Sequence, residues 1–440
     1  MARKLFGTDG VRGVAGDFLT AELALKLARA ATLRSGRERP RVLIVRDTRE
    51  SGEMLQAAVA AGVSSAGGEA LLGGVLPTPA APLLLARHGL DMAVVLSASH
   101  NPYRDNGIKF FAGDGYKLSD ELELQIEQAL EEPAPAGAEI GRVRELHGAG
   151  EDYLRELHTR FAGLDLNGLE VALDCANGAT YRVGPEIFRR LGANVTALAC
   201  EPDGRNINEA CGSTHVAALG EAVRGGGHSI GFAFDGDGDR VLAVDSSGEV
   251  VDGDELMALA ALHLRDSGRL PGNGVVVTVM TNYGFHTAMA QEGVEVHVTS
   301  VGDRYVLEEL RAKGLTLGGE QSGHLIEMGF NSTGDGIAGA LLTLEALAGA
   351  QLSQRRVMHR LPQRLVNVRV RDRDAVAHAE AVQEAVKLAE AELAGRGRVL
   401  LRPSGTEPLV RVMAEAPTDA EAQEICARIA ALVEAELGVA

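Results

Sequence analysis

The most concentrated chemistry in this chain lies in residues 235–240, which read DGDGDR. Three carboxylates alternate there with glycines, and so dense a negative charge requires a nearby cation. Carboxylate oxygens suit a hard divalent ion such as Mg²⁺, and the glycines let the backbone curl so that alternate side chains converge. The segment therefore predicts a Mg²⁺ site formed by Asp235, Asp237 and Asp239.

Two other interpretations compete for this segment. Asp and Gly also favour an ordinary surface turn, which stays open, although apolar strand-like runs at 229–234 and 241–244 flank the segment and favour a loop between buried elements. An EF-hand loop needs Gly at its sixth position and Glu at its twelfth, where this chain has Arg240 and Ser246. The EF-hand is therefore excluded.

A second candidate segment is SASHNP at 97–102, which follows the apolar run 92–96 directly. A serine at the end of a parallel-sheet strand lies at the edge where α/β folds place their sites, and Lys109 supplies a cation nearby. Ser, His, Asn and Pro also make an ordinary turn. On these residues alone the turn is the simpler interpretation.

Two glycine-containing loops carry further polar groups. The backbone amides of GTDGVRG at 7–13, together with Arg12, are able to hold a phosphate, and the alternative is a turn with a solvated arginine. The loop GGEQSGH at 318–324 offers Glu320, Ser322 and His324 to sugar hydroxyls, and His324 is able to move a proton near neutral pH. An ordinary turn remains the alternative there too.

The last polar loop is RPSGTEP at 402–408, followed by Arg411. Two arginines, two hydroxyls and a glycine amide in one loop suit the capture of a phosphate dianion. The chain thus contains a serine loop, a metal loop, a sugar loop and a phosphate loop. Together they suggest phosphoryl transfer on a phosphosugar with Mg²⁺.

Several α/β elements must position these loops, because 440 residues exceed one core. Strands that end in polar turns are predicted in 42–49, 171–179 and 275–282. A first helix is predicted between Thr20 as its N-cap and Gly36 as its C-cap. Beyond residue 362 the pattern changes to a strand over 364–370, a helix over 375–393, strands at 398–402 and 409–414, and a last helix from Thr418.

We therefore predict three α/β domains at 1–150, 151–250 and 251–362, with the serine, metal and sugar loops respectively. A smaller α+β phosphate-binding domain follows at 363–440.

Composition excludes several classes of function. The net charge of −18 disfavours nucleic acid and anionic membranes as partners. The most apolar long stretch, 337–350, contains Glu345 and is too short to span a bilayer, and the N-terminus lacks the apolar core of a secretory signal. We expect a cytoplasmic protein. Its four cysteines show no CxxC pairing, which predicts reduced thiols.

Taken in order and over the whole chain, these loops resemble the α-D-phosphohexomutase superfamily. SASHNP is similar to its phosphoserine loop, DGDGDR to its metal loop, GEQSGH to its sugar loop and RPSGTEP to its phosphate loop. The opening KLFGTDGVRG, Ala98 and Gln321 most resemble the bacterial phosphoglucosamine mutase family within it. The resemblance implies an α/β fold with three similar tandem α/β domains plus a smaller C-terminal α+β domain around a central cleft.

The resemblance also implies roles for individual residues. Ser99 would carry the phosphoryl group, and Asp235, Asp237 and Asp239 would bind Mg²⁺ together with an oxygen of phosphorylated Ser99. The groups around the transferring phosphoryl would be Arg12, His100, Arg240 and Lys109, the last a candidate acid/base.

Substrate-binding residues follow in the same way. The groups that hold sugar hydroxyls would be Glu320, Ser322 and His324. The groups that hold the distal phosphate would be Arg402, Ser404, Gly405, Thr406 and Arg411.

The implied reaction interconverts glucosamine 6-phosphate and glucosamine 1-phosphate in the synthesis of UDP-N-acetylglucosamine. Its intermediate would be glucosamine 1,6-bisphosphate, with glucose 1,6-bisphosphate as an alternative activator, and a homodimer is compatible with it. The same chemistry on glucose or mannose phosphates, a serine-dependent phosphatase and a non-catalytic sugar-phosphate sensor remain as alternatives.

Overall fold

The computed structural model describes residues 4–132, 139–404 and 407–439. The chain divides into two compact units. The first unit contains the chain up to Met280 together with Glu295–Arg356, and the second contains Thr281–Val294 and the chain from Val357 onward.

The first α/β part of unit one is built on a six-stranded sheet. Its strands are β1 (Val11–Val14), β2 (Arg41–Arg46), β3 (Glu69–Val75), β4 (Met92–Leu96), β5 (Asp105–Ala112) and β6 (Val143–Glu145). Their order is β1-β5-β4-β2-β3-β6, and the central strands β3, β2 and β4 are parallel. Every residue of β4 is buried, as expected for a central strand covered on both faces.

Four helices accompany this sheet: α1 (Ala21–Arg34), α2 (Ser51–Ser65), α3 (Ala80–His88) and α4 (Asp120–Gln128). A core that includes Leu27, Ile44, Val59, Val94 and Ile126 lies between the sheet and three of these helices, α1, α2 and α4. Because β2 and β4 are parallel neighbours, the loops that follow Arg46 and Leu96 leave the sheet side by side.

The second α/β part is built on a five-stranded sheet, preceded by α5 (Ala149–Arg160). Its strands are β7 (Glu170–Asp174), β8 (Asn194–Leu198), β9 (Ile230–Phe234), β10 (Val241–Asp245) and β11 (Val250–Val251), and its helices are α6 (Val183–Arg190) and α7 (Ala217–Gly226). Strands β9 and β10 are antiparallel, with Phe234 opposite Val241. The predicted metal segment is therefore a hairpin loop between two strands, as its apolar flanks indicated.

The third α/β part has a four-stranded sheet. Its strands are β12 (Gly274–Thr278), β13 (Glu295–Thr299), β14 (Leu317–Gly319) and β15 (Leu325–Glu327), and the helices of unit one in this part are α8 (Gly253–Asp266), α10 (Asp303–Lys313) and α11 (Gly336–Leu347). Strands β14 and β15 are antiparallel, with Gly319 opposite Leu325. The predicted sugar loop is the turn between them.

Unit two is a three-stranded antiparallel sheet with helices. Its elements are α9 (Tyr283–Gln291), β16 (Gln363–Arg369), α12 (Glu380–Leu393), β17 (Arg398–Pro403), β18 (Leu409–Glu415) and α13 (Asp419–Leu437). Short 3₁₀ turns occur at Pro271–Asn273, Leu352–Gln354 and Asp374–His378. The predicted fold class, three α/β parts followed by a smaller α+β part, is confirmed.

Two helix boundaries differ from the sequence prediction, and the predicted strands at 364–370, 398–402 and 409–414 differ from β16, β17 and β18 by one residue at one or both ends. Thr20 caps α1 as predicted and accepts a hydrogen bond from the Leu23 N–H at 3.2 Å, but the helix ends at Arg34 with Ser35 as its C-cap, so Gly36 lies beyond the cap. Helix α12 begins at Glu380 instead of residue 375, because Ala379 is extended and separates it from the 3₁₀ turn.

Within the described ranges, no helix is both long and apolar enough to cross a membrane. The four cysteines are all free thiols.

A buried carboxyl group connects α5 to the third α/β part. Asp335 is 3% exposed, caps α11 by accepting a hydrogen bond from the Ala338 N–H, and accepts another from the Tyr153 hydroxyl at 3.0 Å. Burial raises the pKa of Asp335 to about 6, although these hydrogen bonds act in the opposite direction. The folded protein therefore binds this proton more tightly than the unfolded chain does.

We predict that Asp335→Asn removes part of the pH dependence of stability. A folded pKa above the unfolded value stabilises the protein at low pH, and this contribution is lost as the pH rises through about 6. Asparagine does not ionise, so the Tm of Asp335→Asn relative to wild type should rise between pH 4.5 and pH 7.5. The corresponding change in the free energy of unfolding is roughly 2 kcal/mol.

The exposed Asp17→Asn variant is the control and should show no such change. A Tm difference between Asp335→Asn and wild type that is the same at both pH values would contradict the assignment.

Candidate active site

The three aspartates of the metal loop converge as predicted. Asp235, Asp237 and Asp239 are 0%, 1% and 7% exposed, and one carboxylate oxygen from each lies within 4.8 Å of the other two. Gly238 has a φ of +70°, which favours glycine, and a side chain on Gly236 would lie 2.6 Å from the Ser99 carbonyl oxygen. The glycines therefore permit both the curl of the loop and its close approach to the serine loop.

The described side chains around the triplet leave part of its negative charge uncompensated. Burial, with repulsion from Asp239 and Asp237, raises the pKa of Asp235 well above its usual value. Asp237 Oδ1 and Asp239 Oδ1 are buried and accept no hydrogen bond from any described residue. Orphaned, converging carboxylate oxygens fit a hard divalent cation such as Mg²⁺.

The serine loop meets the metal loop at Ser99. The Ser99 hydroxyl donates a hydrogen bond to Asp235 Oδ2 at 2.5 Å and lies 3.3 Å from His100 Nδ1. Ser99 is 1% exposed and has a φ of +52°, an uncommon conformation for a residue with a side chain. Loops that are 136 positions apart in the chain thus place a hydroxyl directly against the carboxylate triplet.

Cationic side chains surround this contact. Lys109 is 1% exposed, and its ammonium group lies 2.8 Å from Asp237 Oδ2 and 2.9 Å from Asp9 Oδ2. Burial opposes the charge on Lys109, but these two carboxylates raise its pKa. Lys109 is therefore a fixed cation that stays protonated near neutral pH and is suited to donating hydrogen bonds.

The other predicted phosphoryl-contacting residues lie around the same carboxylates. The Arg240 N–H donates to Asp235 Oδ1 at 3.2 Å, and the Arg12 guanidinium is ion-paired with Asp9. Burial and the charges of Arg240 and Arg12 lower the pKa of His100. His100 is therefore an imidazole that is mostly neutral at pH 7 beside the Ser99 hydroxyl.

Sequence reasoning missed three ionic residues that connect the first and third α/β parts. The Lys117 ammonium group lies 2.6 Å from Asp9 Oδ1 and 2.6 Å from Asp303 Oδ2. The two carboxylates raise the pKa of Lys117 against the effect of burial. Asp9 could have been found, because it lies beside Arg12 in the glycine-rich loop, but Lys117 and Asp303 belong to no motif.

Thr78 was also missed. Its hydroxyl donates to Asp237 Oδ2 at 2.6 Å and thereby fixes the orientation of that carboxylate.

The sugar loop packs directly against the metal hairpin. The Val241 N–H donates to the Gly323 carbonyl oxygen at 3.0 Å, and a side chain on Gly323 would lie 2.1 Å from the Val241 carbonyl oxygen. Glu320 is partly exposed and accepts a hydrogen bond from the Gly302 N–H at 3.1 Å, whereas Ser322 is exposed. The structure thus brings the sugar loop to the same site.

His324, in contrast, is almost fully buried at 2% exposure. Burial disfavours its charge, but Asp239 and Asp303 raise its pKa to about 9, while the Gly334 N–H donates to Nε2 at 3.1 Å and opposes protonation of that nitrogen. Nδ1 faces Asp239 at 3.6 Å. The ring is thus held between Asp239 and Gly334.

The described part of the phosphate loop lies in unit two. Arg402 of β17 lies opposite Arg411 of β18 in the antiparallel ladder. Burial, together with the charge of Arg411, lowers the pKa of Arg402. Ser404 is 2% exposed, and its carbonyl oxygen accepts a hydrogen bond from Arg373 at 2.6 Å. Two adjacent guanidinium groups fit an anion. Gly405 and Thr406 lie outside the described residues.

Comparison with known proteins agrees with this arrangement. Four models of phosphoglucomutase/phosphomannomutase domains match the chain: alpha/beta/alpha domain I at residues 3–136, domain II at 151–248, domain III at 252–365 and the C-terminal domain at 365–432.

Curated relatives match the chain over nearly its full length. A protein of Moorella thermoacetica named phosphoglucosamine mutase is 53% identical over 434 residues, which cover 96% of this chain and 98% of that protein. A Bacillus subtilis protein of the same name is 47% identical over 446 residues and 99% of both chains.

Solved structures share the fold at lower sequence identity. A phosphoglucomutase/phosphomannomutase family protein from Burkholderia thailandensis has a TM-score of 0.81 at 22% identity and covers 100% of both chains. Aspergillus fumigatus N-acetylphosphoglucosamine mutase, in complex with GlcNAc-6P and magnesium, has a TM-score of 0.69 at 19% identity and covers 98% of this chain and 95% of that one.

The geometry of the triplet predicts a metal-dependent rise in stability. Mg²⁺ should raise the Tm of the wild-type protein by a few degrees. An ion that binds only the folded protein and is present at about 100 times its Kd raises the free energy of unfolding by about 2.7 kcal/mol. Asp235→Asn removes one repelling charge while keeping an oxygen acceptor, so in EDTA its Tm should equal or exceed that of wild type. Its response to Mg²⁺ should be largely lost.

Thermal unfolding in EDTA and in Mg²⁺ measures both effects. Glu209→Gln, which alters an exposed carboxylate, should retain the wild-type response to Mg²⁺. An undiminished Mg²⁺ response in Asp235→Asn would rule out the triplet as the metal site.

Proposed function

This chain belongs to the phosphoglucosamine mutase family, and on that basis we propose that it interconverts glucosamine 6-phosphate and glucosamine 1-phosphate with Ser99 as the phosphoryl carrier. The observation that carries the role of Ser99 is its 2.5 Å hydrogen bond to Asp235, at the edge of a buried carboxylate triplet. A serine in this position has its hydroxyl directed at the site where a phosphoryl group and a divalent cation would meet.

We propose that Asp235, Asp237 and Asp239 hold Mg²⁺ together with an oxygen of phosphorylated Ser99. The bound ion would neutralise charge on the phosphoryl group and increase the electrophilicity of its phosphorus. The orphaned oxygens of Asp237 and Asp239 support this assignment.

In each half-reaction a phosphorus–oxygen bond at Ser99 exchanges with one at a sugar hydroxyl. As phosphorylated Ser99 gives its group to the substrate, the bond to the serine oxygen breaks, the sugar hydroxyl loses its proton, and the serine oxygen gains one. We propose Lys109 as the acid/base at this step, because its buried ammonium group lies beside Asp237 and carries a proton that the departing serine oxygen would receive. Its raised pKa keeps that proton bound until the serine oxygen gains negative charge. Arg12, His100 and Arg240 would orient the transferring group.

Glucosamine 1,6-bisphosphate is the expected product of the first half-reaction. It must turn so that its other phosphate faces Ser99 before the second half-reaction returns a phosphoryl group to the serine. We propose that Glu320, Ser322 and His324 bind the sugar hydroxyls, although His324 must first give up contacts within the protein. The residues proposed to hold the distal phosphate are Arg402, Ser404, Gly405, Thr406 and Arg411.

Family membership also supports proposals about the ion, the activator, the location and the assembly of the protein. We propose Mg²⁺ as the ion and glucosamine 1,6-bisphosphate or glucose 1,6-bisphosphate as the activator. We also propose a cytoplasmic location, no nucleic-acid partner and a homodimer as an assembly to be tested. The domain boundaries at residues 150, 250 and 362 likewise stay a prediction.

The identity of the phosphoryl carrier is tested by intact mass. Purified wild-type protein treated with glucose 1,6-bisphosphate should carry an excess mass of one phosphate, and Ser99→Ala should lack both this excess and mutase activity. Fragmentation should place the phosphate on Ser99 and not on Ser97. The matched variant Ser64→Ala, on α2, should keep both the phosphate and the activity; full activity in Ser99→Ala would refute the assignment.

Substrate assays separate the remaining alternatives. The protein should convert glucosamine 6-phosphate much faster than glucose 1-phosphate or mannose 1-phosphate, and it should release little inorganic phosphate. A preference for the glucose or mannose compounds would favour the related mutases. Steady release of phosphate would instead favour a phosphatase.

A further inference from the structure

We propose that Arg49, together with Asp47 and Ser97, forms a buried template that positions Ser99 for phosphoryl transfer. This proposal rests on the proposed role of Ser99 and adds residues that touch neither the sugar nor the metal triplet. We call Asp47, Arg49 and Ser97 the serine-loop template.

Arg49 is fully buried at 0% exposure, and each of its five side-chain N–H groups has an acceptor. The acceptors are Asp47 Oδ2 at 2.8 Å and the backbone carbonyl oxygens of Ser99 at 3.0 Å, Asn101 at 2.9 Å, Asp105 at 2.9 Å and Pro102. Four of the five bonds therefore go to backbone carbonyl oxygens, three of them in the serine loop and one at the start of β5. The loop is folded around this one guanidinium group.

Asp47 and Ser97 hold the other side of the Ser99 backbone. The Ser97 hydroxyl donates to Asp47 Oδ2 at 2.6 Å and accepts a hydrogen bond from the Ser99 N–H at 3.0 Å. Asp47 Oδ1 in turn accepts from the Arg49 N–H at 3.0 Å. Both the N–H and the carbonyl oxygen of Ser99 are thus bound within a single network.

The conformation of Ser99 explains why such a network is needed. Its φ of +52° is disfavoured for a residue with a Cβ atom, so the loop would relax without outside contacts. Fixing the groups on both sides of the Ser99 Cα holds its hydroxyl toward Asp235. The Asp47–Arg49 pair has no net charge, so it provides orientation and adds little field at the phosphoryl group.

Asn208 connects the template to the second α/β part. Its side-chain amide donates to the carbonyl oxygens of Ser99 at 2.9 Å and Asn101 at 3.1 Å. The same Ser99 carbonyl oxygen lies against the metal loop, where a side chain on Gly236 would be 2.6 Å from it. The template, the serine loop and the metal loop therefore meet at one backbone carbonyl group.

The test compares kcat and KM in Arg49→Lys, Ser97→Ala and Asn208→Gly. Lysine keeps the charge opposite Asp47 but cannot reach four carbonyl groups, and glycine tolerates the positive φ of Asn208. We expect kcat to fall roughly ten- to a hundredfold in Arg49→Lys, because a small displacement of a reacting group costs this much. The fall in Ser97→Ala and Asn208→Gly should be smaller. KM for the sugar phosphate should stay within about threefold, since the template touches none of the proposed sugar-binding residues.

Arg41→Lys is the matched control, because Arg41 begins β2 and its side chain donates to the His88 carbonyl oxygen at 3.2 Å, away from the template. It should retain wild-type kcat. Guanidinium ion should restore part of the activity of Arg49→Ala, a result that a general loss of folding would not give.

Ser97→Ala keeps the proposal testable if the Arg49 variants fold poorly, because it removes a single hydroxyl. Folded Arg49→Lys and Ser97→Ala proteins with wild-type kcat would overturn the template. Wild-type protein without mutase activity would overturn the proposed function itself, so the two failures are distinguishable.

Discussion

The constraint on which this structure depends is the burial of three carboxylates within 4.8 Å of one another. Burial alone disfavours their charge, and each one also repels the other two. Lys109 and Arg240 offset part of this repulsion from close range, and the Ser99 and Thr78 hydroxyls donate into the cluster. What remains uncompensated is a set of orphaned oxygens, which suits the cluster to binding a divalent ion.

The fold satisfies this constraint by directing three loops to one place. The serine loop leaves the carboxyl end of the central strand β4, and the metal loop is the β9–β10 hairpin connection. The sugar loop is the tight turn between β14 and β15, and it packs on the metal hairpin through backbone contacts at Gly323. Glycines at 236 and 323 are required because backbone atoms of the serine loop and of β10, respectively, occupy the space of a side chain.

Sequence alone predicted those parts of the site that are encoded locally. The spacing of the aspartates and their apolar flanks predicted the metal hairpin, and the run MAVVL followed by serines predicted a strand that ends at the site. Lys117, Asp303 and Arg49 were not predicted, because their partners lie far away in the chain and no short spacing marks them. The start of α12 was misplaced because Ala379 leaves the helical region without any sequence signal such as Gly or Pro.

The central claim is that phosphorylated Ser99 and the aspartate triplet share one divalent ion. The most direct measurement is an anomalous difference map from crystals of the phosphorylated protein soaked in Mn²⁺, a scatterer that substitutes for Mg²⁺. We expect one strong peak bonded to Asp235, Asp237, Asp239 and a phosphoserine oxygen. A peak elsewhere, or a peak at the triplet with the phosphoserine turned away from it, would contradict the shared ion.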